Sequence, residues 1–285
     1  MQNTSLNVAS KLPRGLAELY RLINAQADAL AISYLVIGAT ARDIILHHGF
    51  GAAIERGTRD VDFAIQVKSW QQFEQLKAKL LANGFKAHET KAHQLIISLT
   101  DGDEWEVDII PFGAIAGDSH SITWPPQYDI EMSVIGFNEA FNNALNVTIS
   151  VTPKLEIKVA SPEGMLLLKL KSWQEREPHI RGKDAIDIYY LIKHYSKIPE
   201  VNDSLYNDDF MGAQDFDELK ASAMKLASDA QEIASTDTLS FIMNKVCNDG
   251  AKRDQLILDM SRKVHIEYGE AEKLIAIIFE QLIKK

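Results

Sequence analysis

Arg59-Asp60-Val61-Asp62-Phe63-Ala64-Ile65 is the stretch on which the reading of this chain turns. Its apolar residues read as a strand. Side chains in a strand alternate between faces, so Asp60 and Asp62 point the same way. A lone Asp-x-Asp reads first as a solvated face or as protection of a sheet edge. Here Val61 and the run Phe63-Ala64-Ile65 argue for a central strand, where acids need a reason. Upstream, the apolar run Ser33-Tyr34-Leu35-Val36-Ile37 ends in a Gly38-Ala39 turn. Downstream, Trp105-Glu106-Val107-Asp108-Ile109-Ile110 reads as another strand and supplies a third acid, Asp108. Glu106 shares its face, and Asp108 is preferred because Ile109-Ile110-Pro111 follows it as a buried strand end would. Three carboxylates from neighbouring strands make an oxygen cage for a hard divalent ion. Mg²⁺ bound by carboxylates and substrate phosphates is the expected occupant.

The rest of the chain frames these acids. Leu16, Leu19, Tyr20, Leu22, Ile23 and Leu30 recur at helical spacing, which predicts a helix over 14–31. A second helix is expected over 40–48, broken at His47-His48-Gly49-Phe50-Gly51, with 47–53 as a surface loop. Ser69 is an N-cap for a helix through Leu81, closed by Asn83-Gly84. Residues 92–99 and 104–110 form a hairpin about an Asp101-Gly102 turn. Two further strands are expected at 147–151 and 155–159, with Pro153 between them. Ser161 as N-cap and Pro162 at the first helical position then open a change of character. Beyond them the pattern is helical, strongest at 184–194, 218–233, 239–246, 254–264 and 271–283. Residues 199–209, rich in Asn, Asp and Ser, are expected to be a loop. The fold class is therefore α+β. An α/β N-terminal domain (1–160), with a mixed sheet flanked by helices, precedes an all-helical C-terminal domain (161–285).

Composition narrows the setting. Of the 285 residues 46% are apolar, enough for a sizeable core, yet no run is long enough to predict a membrane span. Met1-Gln2-Asn3-Thr4-Ser5 lacks the marks of a signal peptide, and Cys247 is the only cysteine. A reducing, cytoplasmic location is expected. The net charge of −10 argues against a surface that binds nucleic acid throughout. Basic clusters at 154–158 and 169–183 leave room for a local groove.

Acids that hold metal beside a glycine bend suit the transfer of a nucleotidyl group from a nucleoside triphosphate. Two metal ions roughly 3.5–4 Å apart stabilise the attacking and leaving oxygens. One of the acids can serve as base for the incoming hydroxyl. Gly38 lets the backbone approach the triphosphate, and the start of the 40–48 helix points N–H groups at anionic oxygens.

These residues resemble the nucleotidyltransferase superfamily shared with polymerase beta, and within it the AbiEii/AbiGii-like (DUF1814-type) branch. The branch's Arg-x-Ser-x-Asp-φ-Asp pattern, φ being apolar, stands here as Arg56-Gly57-Thr58-Arg59-Asp60-Val61-Asp62. Its Lys-Leu pair stands as Lys169-Leu170, and its basic-Asp-x-x-Asp motif as Lys183-Asp184-Ala185-Ile186-Asp187. The likeness covers residues 35–195. Ala39 replaces the usual second glycine or serine, Thr58 replaces the serine, and Asp60 comes 22 positions after Gly38, longer than the branch leads one to expect. Gly38-Ala39-Thr40-Ala41-Arg42-Asp43 also approximates the Gly-Gly-x-Val-Arg-Asp signature of tRNA nucleotidyltransferases and poly(A) polymerases. The Arg-Arg-Asp-Phe-type run which that family uses next is missing.

The resemblance implies a Mg²⁺-dependent nucleotidyltransferase that moves a nucleoside monophosphate from an NTP such as ATP to an acceptor hydroxyl. In that reading Asp60 and Asp62 bind both ions, and Asp108 binds the catalytic one. Gly38, Ala39, Thr40, Arg56 and Thr58 hold the triphosphate. Lys169 neutralises phosphate charge, Asp184 completes the site, and Asp187, on the same helix face, helps close it. The acceptor implied is tRNA or another RNA, and the toxin members of the branch imply an antitoxin protein as partner. One rival is a small-molecule acceptor of aminoglycoside or lincosamide type, which the acidic balance favours. The other is a non-catalytic relic of the fold that binds nucleotide or protein. Structural readings stand beside these. Lys169 can snorkel from an apolar helix, and Asp184 and Asp187 can serve a helix start. Arg42 can pair with Asp43. His47 and His48 diverge by about 100° on a helix and cannot chelate one ion. His88 and His93 read as surface histidines, and Trp124 and Trp173 as packing.

Overall fold

The computed structural model of the chain describes residues 5–55, 57, 60–100 and 102–284. Arg56, Thr58 and Asp101, on which expectations fall, lie outside the described residues. The chain divides into two compact units, Met1–Ser161 and Pro162–Lys285.

In the first unit the strands are β1 (Leu6–Asn7), β2 (Ser33–Ile37), β3 (Asp60–Gln66), β4 (Lys86–Ala87), β5 (Gln94–Ser98), β6 (Glu104–Phe112), β7 (Ser121–Thr123), β8 (Glu131–Ser133), β9 (Leu145–Val151) and β10 (Lys154–Val159). Eight of them form one mixed sheet in the order β1-β9-β10-β2-β3-β6-β5-β4, while β7 and β8 pair separately. β3 lies at the centre, antiparallel to β2 and parallel to β6. The predicted hairpin is β5 against β6. The centre holds because Val61, Phe63, Ala64 and Ile65 are all buried. Tyr20 and Tyr34 meet the Phe63 ring edge-on, with centroids 5.8 and 5.7 Å away. Burying one such side chain contributes about 1.5–3 kcal/mol.

Helices flank this sheet. α1 (Arg14–Asp28) turns Leu16, Leu19, Tyr20 and Ile23 inward as their spacing predicts, with Ala27 in place of Leu22 on the buried stripe, and ends before Leu30. α2 (Gly38–Arg42) begins two residues before the expected helix and continues as a wider π-helical segment, Asp43–Gly49. The helix thus ends at Gly49, where the break is expected, but Ala52, expected in a surface loop, is buried. α3 (Trp70–Ala82) is capped as predicted, the Ser69 hydroxyl accepting from the Gln72 N–H. α4 (Phe137–Asn142) completes the unit's α-helices.

The second unit contains α5 (Pro162–Glu175), α6 (Gly182–Tyr195), α7 (Pro199–Asn207), α8 (Phe210–Ala213), α9 (Glu218–Ile233), α10 (Thr236–Ile242), α11 (Gly250–Val264) and α12 (Tyr268–Ile283). A π-helical turn, Met243–Cys247, extends α10. The expected loop at 199–209 is mostly α7. Pro199 occupies the first turn, where its fixed φ favours a helix, and Val201 and Leu205, four apart, are buried on one face. The basic run 169–183 is not a surface patch throughout, because Lys169, Lys171 and Arg181 are buried.

Candidate active site

β3 and β6 run parallel with Asp60 opposite Glu106, Val61 opposite Val107 and Asp62 opposite Asp108. Partners in register share a face, so these four carboxylates occupy one side of the sheet on strands about 4.8 Å apart. The valines between them are fully buried on the other side. Asp60 and Glu106 are exposed, whereas Asp62 and Asp108 are half-buried. Among the described residues, no three acid, histidine or cysteine side chains stand together as a metal-holding group. The expected three-acid cage is thus not drawn together there. The register supplies a neighbouring pair, Asp62 and Asp108, with Asp60 at the start of β3.

Gly38 meets Asp62 directly. A Cβ at position 38 would overlap Asp62 Oδ2 and lie 2.9 Å from Cγ and 3.3 Å from Asp62 Cβ. Its φ of +72° is also one that L side chains rarely adopt. Sequence reasoning found the bend but assigned its open space to the triphosphate, whereas the neighbour that excludes a side chain is a carboxylate of the site. Ala39 and Thr40 are buried in the first turn of α2. The Thr40 hydroxyl donates to the Asp60 carbonyl at 2.8 Å, tying that turn to the start of β3. Arg42 is buried and pairs with Asp43, its Nη2 2.7 Å from Oδ1, as its structural reading expects. The Tyr20 hydroxyl lies fully buried, and its pKa is pushed well up by burial first, then by Tyr34 and the charges of Asp62 and Asp43.

Two neighbouring residues, Gln94 at the start of β5 and His93 just before it, escaped sequence reasoning. Gln94, opposite Asp108 in the β5–β6 ladder, is only 4% exposed. Its Nε2 donates to Asp108 Oδ1 at 2.9 Å and to Glu106 Oε2 at 3.1 Å. Its Oε1 accepts from Lys91 Nζ at 3.1 Å. His93, read as a surface histidine, packs its ring 5.4 Å from that of Trp124. Burial lowers its pKa, opposed by the nearby charge of Asp108. Trp124 itself is buried among Trp70 and Phe73, in keeping with packing.

In the helical unit, Lys169 on α5 meets Asp184 and Asp187 on α6. Its Nζ lies 3.0 Å from Asp184 Oδ1 and 2.6 Å from Asp187 Oδ2. Arg176 Nη1 reaches Asp184 Oδ2 at 3.1 Å. The lysine is 9% exposed and the two aspartates at most 1%. Snorkelling is therefore excluded, since the amine itself is buried. Burial alone would lower the Lys169 pKa, but Asp187 and Asp184 outweigh it and raise it. The motif Lys183-Asp184-Ala185-Ile186-Asp187 thus assembles a charge cluster around Lys169. His47 and His48 stack edge-on at 4.6 Å, and the Trp173 Nε1–H donates to Asp259 at 3.0 Å.

No curated protein matches the chain. Among solved structures, the chain is similar to the lincosamide antibiotic adenylyltransferase LnuA with lincomycin bound, at 19% identity over 61% of this chain and 94% of that one (TM-score 0.38). It is similar to the antibiotic-resistance factor ANT(2'')-Ia at 14% identity over 70% and 95% of the two chains (TM-score 0.35). A third likeness is to the Thermotoga maritima CCA-adding enzyme complexed with tRNA, at 12% identity over 98% and 81% (TM-score 0.27). The family described as "Nucleotidyl transferase AbiEii toxin, Type IV TA system" matches residues 21–242. That span contains the glycine bend, the acids of β3 and β6 and the Lys169 cluster, and the chain belongs to this AbiEii family of nucleotidyltransferases.

Proposed function

We propose that the chain transfers a nucleoside monophosphate from an NTP to a hydroxyl of an RNA acceptor, with tRNA the first RNA to test, releasing pyrophosphate as the α–β phosphoanhydride bond breaks, and that the reaction depends on Mg²⁺. The observation that carries this reading is Asp62 in register with Asp108, with Gly38 packed against the Asp62 carboxylate. Magnesium characteristically takes one or two carboxylates and completes its shell with water and substrate phosphates. A pair of aspartates fits that habit without a closed cage; Asp62 and Asp108 would hold the metal, with Asp60 beside them at the strand start. Bound there, magnesium supplies neutralisation of phosphoryl charge.

The chain's own residues do the rest. Gly38 leaves Asp62 its place, and the Thr40 hydroxyl fixes the first turn of α2 to β3. The N–H groups of that turn favour anionic phosphate oxygens. A carboxylate of the site accepts the proton of the acceptor hydroxyl. The roles of Arg56 and Thr58 rest on the family resemblance. On the same reading the chain acts in the cytoplasm, where the modified RNA loses function and an antitoxin opposes it; the family description, a toxin of a type IV toxin–antitoxin system, supports the last of these.

The test is incubation with each α-labelled NTP, Mg²⁺ and total RNA. Label should enter RNA, and Asp62→Asn should abolish the transfer. Label that survives Asp62→Asn would refute the mechanism. One observation favours a second reading: the net charge of −10 suits a cationic small-molecule acceptor better than a polyanion. An RNA acceptor predicts transfer that weakens steeply with salt. Label appearing in an aminoglycoside or lincosamide and never in RNA would decide for the small molecule.

A further inference from the structure

We propose that Gln94 is a positioning residue of the nucleotidyl-transfer site, holding the Asp108 carboxylate in the orientation that metal ligation needs. The inference rests on the metal-dependent reading above and assigns a role to a residue no motif contains.

Three observations carry it. First, Gln94 is buried yet has every polar atom engaged. An amide nitrogen has two protons, and here one goes to Asp108 Oδ1 and one to Glu106 Oε2. Second, the amide has one workable orientation. Turned over, its oxygen would face two carboxylates and its NH₂ group the Lys91 ammonium, so Lys91 at 3.1 Å fixes it from behind. Third, the topology gives the contact a direction. β6 lies between β3 and β5, and Gln94 reaches Asp108 from the β5 side, opposite the side of Asp62.

A carboxylate rotates about its Cβ–Cγ bond. With Oδ1 bonded on the β5 side, Oδ2 is the oxygen left for the β3 side, where Asp62 stands in register. Glu106 is the longer side chain and takes the second amide proton. It is thereby held toward β5 rather than toward its register partner Asp60. Groups that orient metal-binding side chains typically change metal affinity or activity 10–100-fold when removed.

The experiment uses Gln94→Met, which keeps the length of the side chain and deletes both donors. Mn²⁺ is the probe, titrated into the full chain with a non-hydrolysable NTP analogue. Binding is followed by the loss of the free-ion electron paramagnetic resonance signal. The proposal expects Gln94→Met to bind Mn²⁺ at least about 10-fold more weakly than the native chain, with thermal unfolding little changed. Equal affinity in the two proteins overturns the role of Gln94 while leaving the metal reading intact. If the native chain takes up no Mn²⁺, the metal reading fails and this proposal with it. Should Gln94→Met not fold, Lys91→Met loosens the same network from its exposed end. Loss of a cation would by itself tighten Mn²⁺ binding. Weaker binding in Lys91→Met supports the proposal, and tighter or unchanged binding overturns it.

Discussion

Replacing Gly38 with alanine separates two effects that usually travel together. The first is backbone strain. A φ of +72° costs an L-residue about 1–2 kcal/mol, partly offset by about 0.4–1 kcal/mol because alanine restricts the unfolded chain. The second is the overlap with Asp62. The carboxylate must leave its rotamer, which costs about 0.5–1.5 kcal/mol. Gly38→Ala should therefore lose about 0.5–3 kcal/mol of stability. Gly51 provides the control, because its φ is +73° and an added Cβ there meets nothing within 4 Å. Gly51→Ala carries the strain alone and should lose about 1 kcal/mol or less. The functional contrast should be larger. Moving a reacting group by about 1 Å can cost 10²-fold in rate, so Gly38→Ala should lose about that much transfer while Gly51→Ala keeps native activity. Urea denaturation gives the stabilities, and labelled-NTP transfer with Mn²⁺ titration gives the function. If both variants behave alike in both assays, the packing of Gly38 on Asp62 is not what fixes that glycine.

Three further outcomes are expected. Lys169→Met leaves Asp187 buried without its lysine and should cost about 3–5 kcal/mol in urea denaturation at neutral pH, a cost that shrinks above the ordinary lysine range. The sign follows from the raised Lys169 pKa, whose stabilisation is present below the ordinary lysine value and is lost only as pH climbs above it. Burial, with smaller contributions from the charges of His47 and Lys11, lowers the His48 pKa to about 4. Its contribution is then complete above the usual histidine range and is lost as pH falls toward 4, so His48→Gln should flatten the acid limb of a stability–pH curve. Ser69→Ala removes the cap that accepts the Gln72 N–H and should destabilise by about 1 kcal/mol, with α3 gaining faster amide exchange at its first turn.

What was legible in the sequence follows from which forces act locally. β2 and β3 were readable because apolar runs and two-residue alternation are properties of the strand itself. Ser69 was readable because a cap bonds within its own turn. The helical unit was readable from its spacing, except where Asn, Asp and Ser masked α7, whose apolar pair Val201 and Leu205 decides the matter by burial. The acids of β3 and β6 could be named, but not how closely they gather, since register and rotamer set that. Gln94 carries no local signal. It lies between His93 and Leu95 in an ordinary strand, and only the β5–β6 register brings it to Asp108. The widening of the helix at Asp43 was equally silent, because a π-helical segment reflects how a helix is accommodated by its surroundings.

The Lys169 cluster decides between two uses of one motif, and charge is the deciding quantity. An ammonium group offers three protons, and Asp184 and Asp187 stand within 3.0 Å of this one. Two buried carboxylates outweigh one lysine, and Arg176 is needed to bring the cluster to neutrality. A phosphate approaching Lys169 therefore meets a cation already matched, and binding there would require Asp187 to let go. If the lysine serves chiefly to lock α5 to α6, Asp187→Asn should destabilise the chain and leave NTP affinity unchanged. If it serves phosphate, the same change frees positive charge and should tighten NTP binding severalfold. Calorimetric titration of an NTP analogue into Asp187→Asn, beside urea denaturation of the same protein, separates the two. Neutrality of the cluster argues for the first outcome, and tighter nucleotide binding would refute that argument.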